Sequence, residues 1–135
     1  MSASPMELFA IRKIEESIDT AVFALHDALR LYEADAVHRM RVSIRRLQQA
    51  LRLFEQYLKG SGVKRVRKQL RKALRVAGDF RNHDIALALI EKSGEDVPAL
   101  RSARSASKKE FRATLKQITK KDLGVNWRVE LGLPS

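Results

Sequence analysis

Cysteine is absent from this 135-residue chain. Its absence excludes a disulfide scaffold, a thiolate nucleophile and cysteine-based zinc or iron–sulfur sites, and it is compatible with a reducing compartment. No apolar run approaches the roughly 20 residues that a membrane span requires. The first ten residues also lack the basic and apolar regions of a secretion signal. We therefore expect a cytoplasmic protein whose single domain needs no metal or disulfide to stabilise its core.

Aromatic residues are scarce, at 6% of the chain. Proteins that bind single-stranded nucleic acid usually stack bases on exposed aromatic side chains. Phe54 and Tyr57 fit the core and its edge better than such a stacking surface. The composition therefore provides cations that can bind phosphate groups but few exposed aromatic side chains on which nucleic-acid bases could stack.

Positive charge is concentrated in one part of the chain. The net charge is +11 overall. Residues 36–77 contain thirteen Lys or Arg and one acidic residue, which gives a net charge of +12. Residues 1–35 contain three Lys or Arg and seven acidic residues, which gives a net charge of −4. Like charges on adjacent elements repel each other and build a focused potential, which indicates a polyanion as the partner.

Helical patterns account for most of the chain. Ser4, Pro5 and Glu7 form a typical helix start, with an N-cap, a first-turn proline and a capping-box glutamate. We expect Asp35 to cap the second helix and Gly60-Ser61-Gly62 to form the turn that follows it. The predicted helices span about 5–32, 36–58, 63–77, 79–92 and 98–118. This pattern predicts an all-α antiparallel bundle over residues 1–122.

The second predicted helix carries separate apolar and cationic faces. Its apolar positions are Met40, Ile44, Leu47, Leu51, Phe54 and Leu58. His38, Arg41, Arg45 and Arg52 lie within about 60° of one another and about 120° from that apolar face. Arg39 and Arg46 lie on the other side of the core, so every face that water reaches is basic.

The third predicted helix repeats this layout. Lys64, Lys68, Arg71 and Arg75 lie within about 60° of one another, again about 120° from the core. If the two cationic faces lie on the same side of an antiparallel pair, they form one groove wall about 20 Å long. Periodicity leaves open which faces of the two helices meet.

Histidine and acidic residues offer little for catalysis. His83-Asp84 resembles a phosphohydrolase ligand pair, but the chain has three histidines and no H-x-x-x-H motif, so we expect no metal site. Arg81 and Asp84 are spaced to pair on a helix surface. We interpret His26 as a surface or boundary residue. The chain also lacks a phosphate-binding glycine loop and a paired acid and base, which disfavours hydrolysis.

The last segment, residues 123–135, alternates in polarity. Val125, Trp127, Val129 and Leu131 occupy every second position, a pattern typical of extended backbone. A single strand has no partner in an all-helical chain. The sequence therefore predicts a C-terminal arm that either packs on the core or contacts a second subunit.

The sequence AVHRMRVSIRRLQQALRLF, a Lys/Arg-rich helix and AGDFRNHDIALAL together resemble the CHAD family, the conserved-histidine α-helical domains that bind inorganic polyphosphate. The resemblance covers about residues 5–120 and is most specific over 36–90. It implies that His38 is the signature histidine of the family. The polyphosphate-binding residues that it implies are His38, Arg41, Arg45, Arg46, Lys64, Lys68, Arg71, Arg75 and Arg81. We add Arg52, because it lies on the same cationic face of the second helix.

This chain departs from the family pattern in two respects. Asn82 stands where the family usually has aspartate. A family domain usually contains two four-helix repeats around a basic pore, whereas this chain contains one. A homodimer would rebuild the pair by two-fold symmetry.

These observations lead to one functional expectation and two alternatives. We expect non-enzymatic binding of polyphosphate, without a cofactor or metal, by a protein that is cytoplasmic and associated with polyphosphate granules. A nucleic-acid-binding protein is the alternative, since any basic groove attracts DNA or RNA. A phosphohydrolase is the less favoured alternative.

Overall fold

A computed structural model describes residues 3–134 as a bundle of five α-helices. They are α1 (Pro5–Leu31), α2 (Ala34–Leu53), α3 (Gly60–Lys92), α4 (Pro98–Ile118) and α5 (Leu123–Leu131), with a 3-10 turn at Glu55–Tyr57. The described residues contain no β-strand, which confirms the all-α fold. None of these helices contains an apolar stretch that could cross a membrane.

Helix α1 begins at the predicted residue. The Ser4 hydroxyl accepts a hydrogen bond from the backbone N–H of Glu7 at 3.1 Å, and Pro5 occupies the first turn. The predicted cap of α2 is wrong, because α2 begins at Ala34 with Glu33 as its N-cap. Asp35 instead lies in the first turn, where its carboxylate interacts favourably with the helix dipole. The two-residue link makes α1 and α2 antiparallel neighbours.

The predicted turn at Gly60-Ser61-Gly62 is also wrong, because these residues form the first turn of α3. Gly62 is buried against the last turn of α5. A Cβ at this position would lie 1.5 Å from the carbonyl oxygen of Glu130. The glycine therefore permits close contact between two helices rather than a change of chain direction.

Gly78 does not end a helix, so the predicted third and fourth helices are a single helix, α3. A glycine inside a helix costs about 1 kcal/mol relative to alanine. Val76, Ala77 and Phe80 around it are buried in the core. Burial of these side chains outweighs the local cost and keeps the helix continuous.

Two helical hairpins form the core. Helix α1 packs on α2, and α3 packs on α4. Phe111 of α4 joins them, since its ring centroid lies 5.2 Å from that of Phe80 on α3 and 6.1 Å from that of Tyr32 at the end of α1. No α3 residue after Phe80 and no α4 residue before Ser107 is buried. This end of α3 and α4 is therefore a projecting hairpin, residues 81–106, outside the core.

Residues Leu123–Leu131 of the C-terminal segment form α5, so the predicted extended conformation is wrong. Trp127 and Leu131 are buried in the same core as α1–α4. The Trp127 indole N–H donates a hydrogen bond to Gln69 Oε1 at 2.8 Å. Arg128 binds Asp19 of α1 at 2.7 Å. The segment thus packs on the core, which is one of the two arrangements that the sequence left open.

Candidate functional site

One flank of α2 faces α1. Arg39 donates a hydrogen bond to Asp27 of α1 at 3.1 Å, and Arg30 binds the same carboxylate at 3.0 Å. These hydrogen bonds lower the pKa of Asp27 below its usual value, and the bond from Arg39 has the largest effect. Arg46 lies about 20° from Arg39 around the helix axis, so it belongs to the same flank.

The opposite flank of α2 lies on the side of α3, which also packs on α2. Arg41, Arg45 and Arg52 lie between about 120° and 160° from Arg39 around the helix. Arg45 and Arg52 are exposed, whereas Arg41 is half-buried. The Nε atom of Arg41 is buried and has no hydrogen-bond partner among the residues that the structure describes. An unpartnered buried donor is costly, so Arg41 is held in a position that internal hydrogen bonding does not explain.

Helix α3 contributes cations to the same side. Arg67 lies 3.7 Å from Glu55 in the turn after α2, and this contact identifies the α3 flank that faces α2. Lys64 and Arg71 lie within about 60° of Arg67 around the helix and are exposed. Helix geometry thus places Arg41, Arg45 and Arg52 of α2 and Lys64 and Arg71 of α3 on one side of this helix pair, and we call the surface that they form the α2–α3 groove.

The five cations of the α2–α3 groove have no carboxylate within 4.0 Å among the described residues. Many cations elsewhere are paired. These paired residues include Arg30, Arg39, Arg65, Arg67, Arg101, Arg104 and Arg128. Cations elsewhere, among them Arg12, Lys72 and Lys120, also have no carboxylate within 4.0 Å among the described residues. The distinguishing feature of the groove is therefore that five such cations lie on two adjacent helices.

Two predicted site residues on α3 are already paired. Arg75 binds Glu110 of α4 at 3.0 Å and lies 3.6 Å from Asp79. Arg81 lies 3.5 Å from Asp84, as its spacing predicted. An external anion would have to displace these carboxylates, so Arg75 and Arg81 are less available than the groove cations.

The remaining predicted site residues border cavities outside the α2–α3 groove, although His38 lies about 20° from Arg45 around α2 and Lys68 about 40° from Lys64 around α3. His38 is exposed and borders a cavity of about 380 Å³ between α1 and α2, together with Phe23, Asp27 and Arg46. Lys68 lines a different cavity, beside α5. The predicted set of ten is thus distributed over more than one face of the bundle.

The cavity beside α5 is a feature that the sequence analysis missed. It has a volume of about 650 Å³ and includes Lys120 and Lys121 from the link between α4 and α5. The adjacent lysines were the available signal. The second wall of this cavity is formed by α5, and it was missed because residues 123–135 were predicted to be extended.

His83 and Asp84 do not lie in a metal-binding cluster. Asp84 binds Arg104 at 3.2 Å as well as Arg81. The Nδ1 atom of His83 is buried and has no hydrogen-bond partner within residues 3–134. Among residues 3–134, no group of three or more histidine, aspartate or glutamate side chains could hold a metal ion.

The fold and the groove define a class: an all-α bundle with an unpaired cationic surface on two adjacent helices. The family model described as CHAD domain matches residues 14–128. The chain therefore belongs to the CHAD domain family, which is associated with polyphosphate binding. No curated protein and no solved structure matches the chain.

Proposed function

We propose that this protein binds inorganic polyphosphate in the α2–α3 groove without catalysing a reaction on it. One observation carries the proposal: the groove joins five cations on two adjacent helices, and none has a carboxylate partner among the described residues. Membership of the CHAD family supports the same ligand.

The chemistry of the ligand matches that of the groove. Polyphosphate carries about one negative charge per phosphate and has no bases, so a row of cations is sufficient to bind it. Each arginine presents a planar fork to phosphate oxygens, whereas Lys64 supplies a mobile point charge. The buried Nε of Arg41 leaves the terminal nitrogens of that guanidinium to reach the ligand. Binding would thus pair these terminal nitrogens with phosphate oxygens.

The other predicted site residues have supporting roles in this proposal. His38, on the outer face of α2, would donate a hydrogen bond to phosphate at the groove edge. Arg46 and Lys68 would add long-range attraction from the neighbouring faces. Arg75 and Arg81 would contact the polymer after exchanging their carboxylate partners for phosphate.

We propose further that two copies associate through the projecting hairpin. Ile85 and Leu89, four residues apart on α3, are 43% and 63% exposed. Four-residue spacing places them on one face, and a two-fold axis would pack that face against its copy. The dimer would carry two grooves, as in a two-repeat domain. We place it in the cytoplasm, at polyphosphate granules.

Charge reversal tests the groove. Arg45→Glu with Arg71→Glu should weaken binding to long polyphosphate at low salt by about 100-fold, since both residues would face the same polymer. Arg12→Glu with Arg112→Glu is the matched control, because both arginines are exposed, lie outside the groove and give the same change in net charge. If the folded groove variant binds as tightly as its control, the groove is not the site.

Nucleic-acid binding is the second candidate function, favoured by the exposed arginines of α2. It predicts a preference for particular bases or for duplex structure. If affinities for single strands, duplexes and polyphosphate follow charge density alone, this candidate is rejected.

A further inference from the structure

The cavity beside α5 lies between α3, the end of α4 and α5. Its volume of about 650 Å³ is in the usual range for small-molecule sites. Ile118, Leu123 and Trp127 provide an apolar wall. The cavity therefore combines a concave shape with an apolar wall built from buried core side chains.

The charge of the cavity is positive. Lys68, Lys120 and Lys121 line it and have no carboxylate within 4.0 Å among the described residues. Its acidic residue, Glu130, accepts a hydrogen bond from Arg65 and is thereby neutralised. Three uncompensated lysines around one cavity favour a compact anion with several charges.

Carboxamides add directed donors. Gln69 Oε1 accepts the hydrogen bond from the Trp127 indole, so the NH₂ group of Gln69 remains to donate. Gln117 and Asn126 also line the cavity. Neutral amide donors beside lysines are the groups that bind phosphate oxygens without further ion pairing.

We propose that this cavity binds a compact oligophosphate group, either as inorganic oligophosphate or as the phosphate chain of a nucleotide. Lysines supply the charge and the carboxamides orient the phosphate oxygens. The apolar wall is available to an organic group when the ligand carries one. Lys68 is shared with the residues that support polyphosphate binding, whereas Lys120 and Lys121 belong to this site alone, so substitution of these two lysines separates the two sites.

Trp127 provides a direct readout, because it is the single tryptophan of the chain and lines this cavity. A phosphate that binds the Gln69 amide polarises the hydrogen bond to the indole and changes the fluorescence of Trp127. The purified protein is titrated with inorganic tripolyphosphate and, separately, with ATP at physiological salt. We expect a saturable change with at least one of them. A stronger response to ATP would show that the nucleoside contacts the apolar wall. A stronger response to tripolyphosphate would show that the site prefers inorganic ligands.

Substitutions localise the response. Lys120→Gln with Lys121→Gln should weaken the effective ligand about tenfold, because two charges are lost. Both lysines are exposed in a link, so the fold should tolerate their loss. Lys92→Gln with Lys109→Gln is the matched control, with the same loss of charge at exposed positions away from the cavity. The Arg45→Glu, Arg71→Glu variant should retain the full fluorescence response, which separates this site from the groove.

Two results would overturn the proposal. One is the absence of any saturable change in Trp127 fluorescence with both ligands. The other is equal affinity of the cavity variant and its control for the ligand that gives the response.

Discussion

Gly62 of α3 and Glu130 of α5 lie so close together that their contact leaves no room for a side chain. A Cβ at residue 62 would lie 1.5 Å from the Glu130 carbonyl oxygen. The adjacent backbone is also fixed, because the N–H of Lys59 donates a hydrogen bond to the carbonyl oxygen of Leu131 at 3.0 Å. The start of α3 and the end of α5 are therefore one packed unit.

Gly62→Ala should destabilise the protein. The methyl group would meet backbone rather than a flexible side chain, so α5 must shift, at a cost of about 1–3 kcal/mol. Chemical denaturation followed by Trp127 fluorescence would measure this loss. Gly78→Ala is the control: its Cβ meets nothing within 4 Å, and it should stabilise the helix by about 1 kcal/mol. Equal stability of the two variants would contradict the packing of α5 on α3.

Asp27 should make the stability pH-dependent. Its folded-state pKa is lowered below 3.8 by hydrogen bonds from Arg39 and Arg30. A lowered folded-state pKa gives stability that is fully present above the unfolded-state pKa and is lost as the pH falls through the folded-state value. Asp27→Asn should thus be less stable than the parent protein at pH 7, and the difference should shrink below about pH 3.8.

Urea denaturation at several pH values would measure this difference. Glu16→Gln is the control, since Glu16 has one exposed partner, Lys13, at 3.5 Å and should change stability little. A constant difference between Asp27→Asn and the parent protein across the acid range would contradict the assigned role of Asp27.

The projecting hairpin should control self-association. Ile85→Glu with Leu89→Glu places two like charges on the face that we propose to be self-complementary, so it should shift a dimer to monomer. Sedimentation velocity at several protein concentrations would measure the shift. Val125→Glu with Val129→Glu is the control, since both valines are exposed on α5, away from the hairpin. A parent protein that remains monomeric at all concentrations would contradict the proposed dimer.

Our proposal that the protein catalyses no reaction on polyphosphate is itself testable. Incubation with tripolyphosphate and Mg²⁺ or Mn²⁺ should release no phosphate beyond the rate without protein, because the groove presents cations without a paired acid and base. A colorimetric phosphate assay would detect release. Turnover that Arg45→Glu with Arg71→Glu abolishes would contradict a purely binding role.

The sequence predicted those features that local chemistry determines. Ser4, Pro5 and Glu7 act within one helical turn, so the start of α1 was predicted correctly. The apolar face of α2 was also predicted as far as Leu51, because a period of 3.6 residues fixes it. The predicted end of this helix was wrong, since α2 ends at Leu53 and Phe54 and Leu58 lie beyond it. Gly78 was misread, since its local signal is weak and core packing around Phe80 overrides it.

Features that depend on distant residues could not be predicted. Apolar residues around Trp127 fit both the alternating pattern of a strand and the four-residue spacing of a helix. Only the packing of this segment against Gln69 and α1 determines that it is helical. The availability of Arg75 depends on Glu110, which is 35 residues away in the chain. The sequence therefore identified the cations of the candidate site but not which of them are already paired.

The most direct test of polyphosphate binding compares three polyanions. Binding of the purified protein to long polyphosphate, single-stranded DNA and double-stranded DNA is titrated from low to physiological salt. We predict that polyphosphate remains bound at salt concentrations that release both DNAs, because the groove fits a phosphate chain without bases. Loss of all three ligands with the same salt dependence would contradict this and reduce the groove to a generic cationic surface.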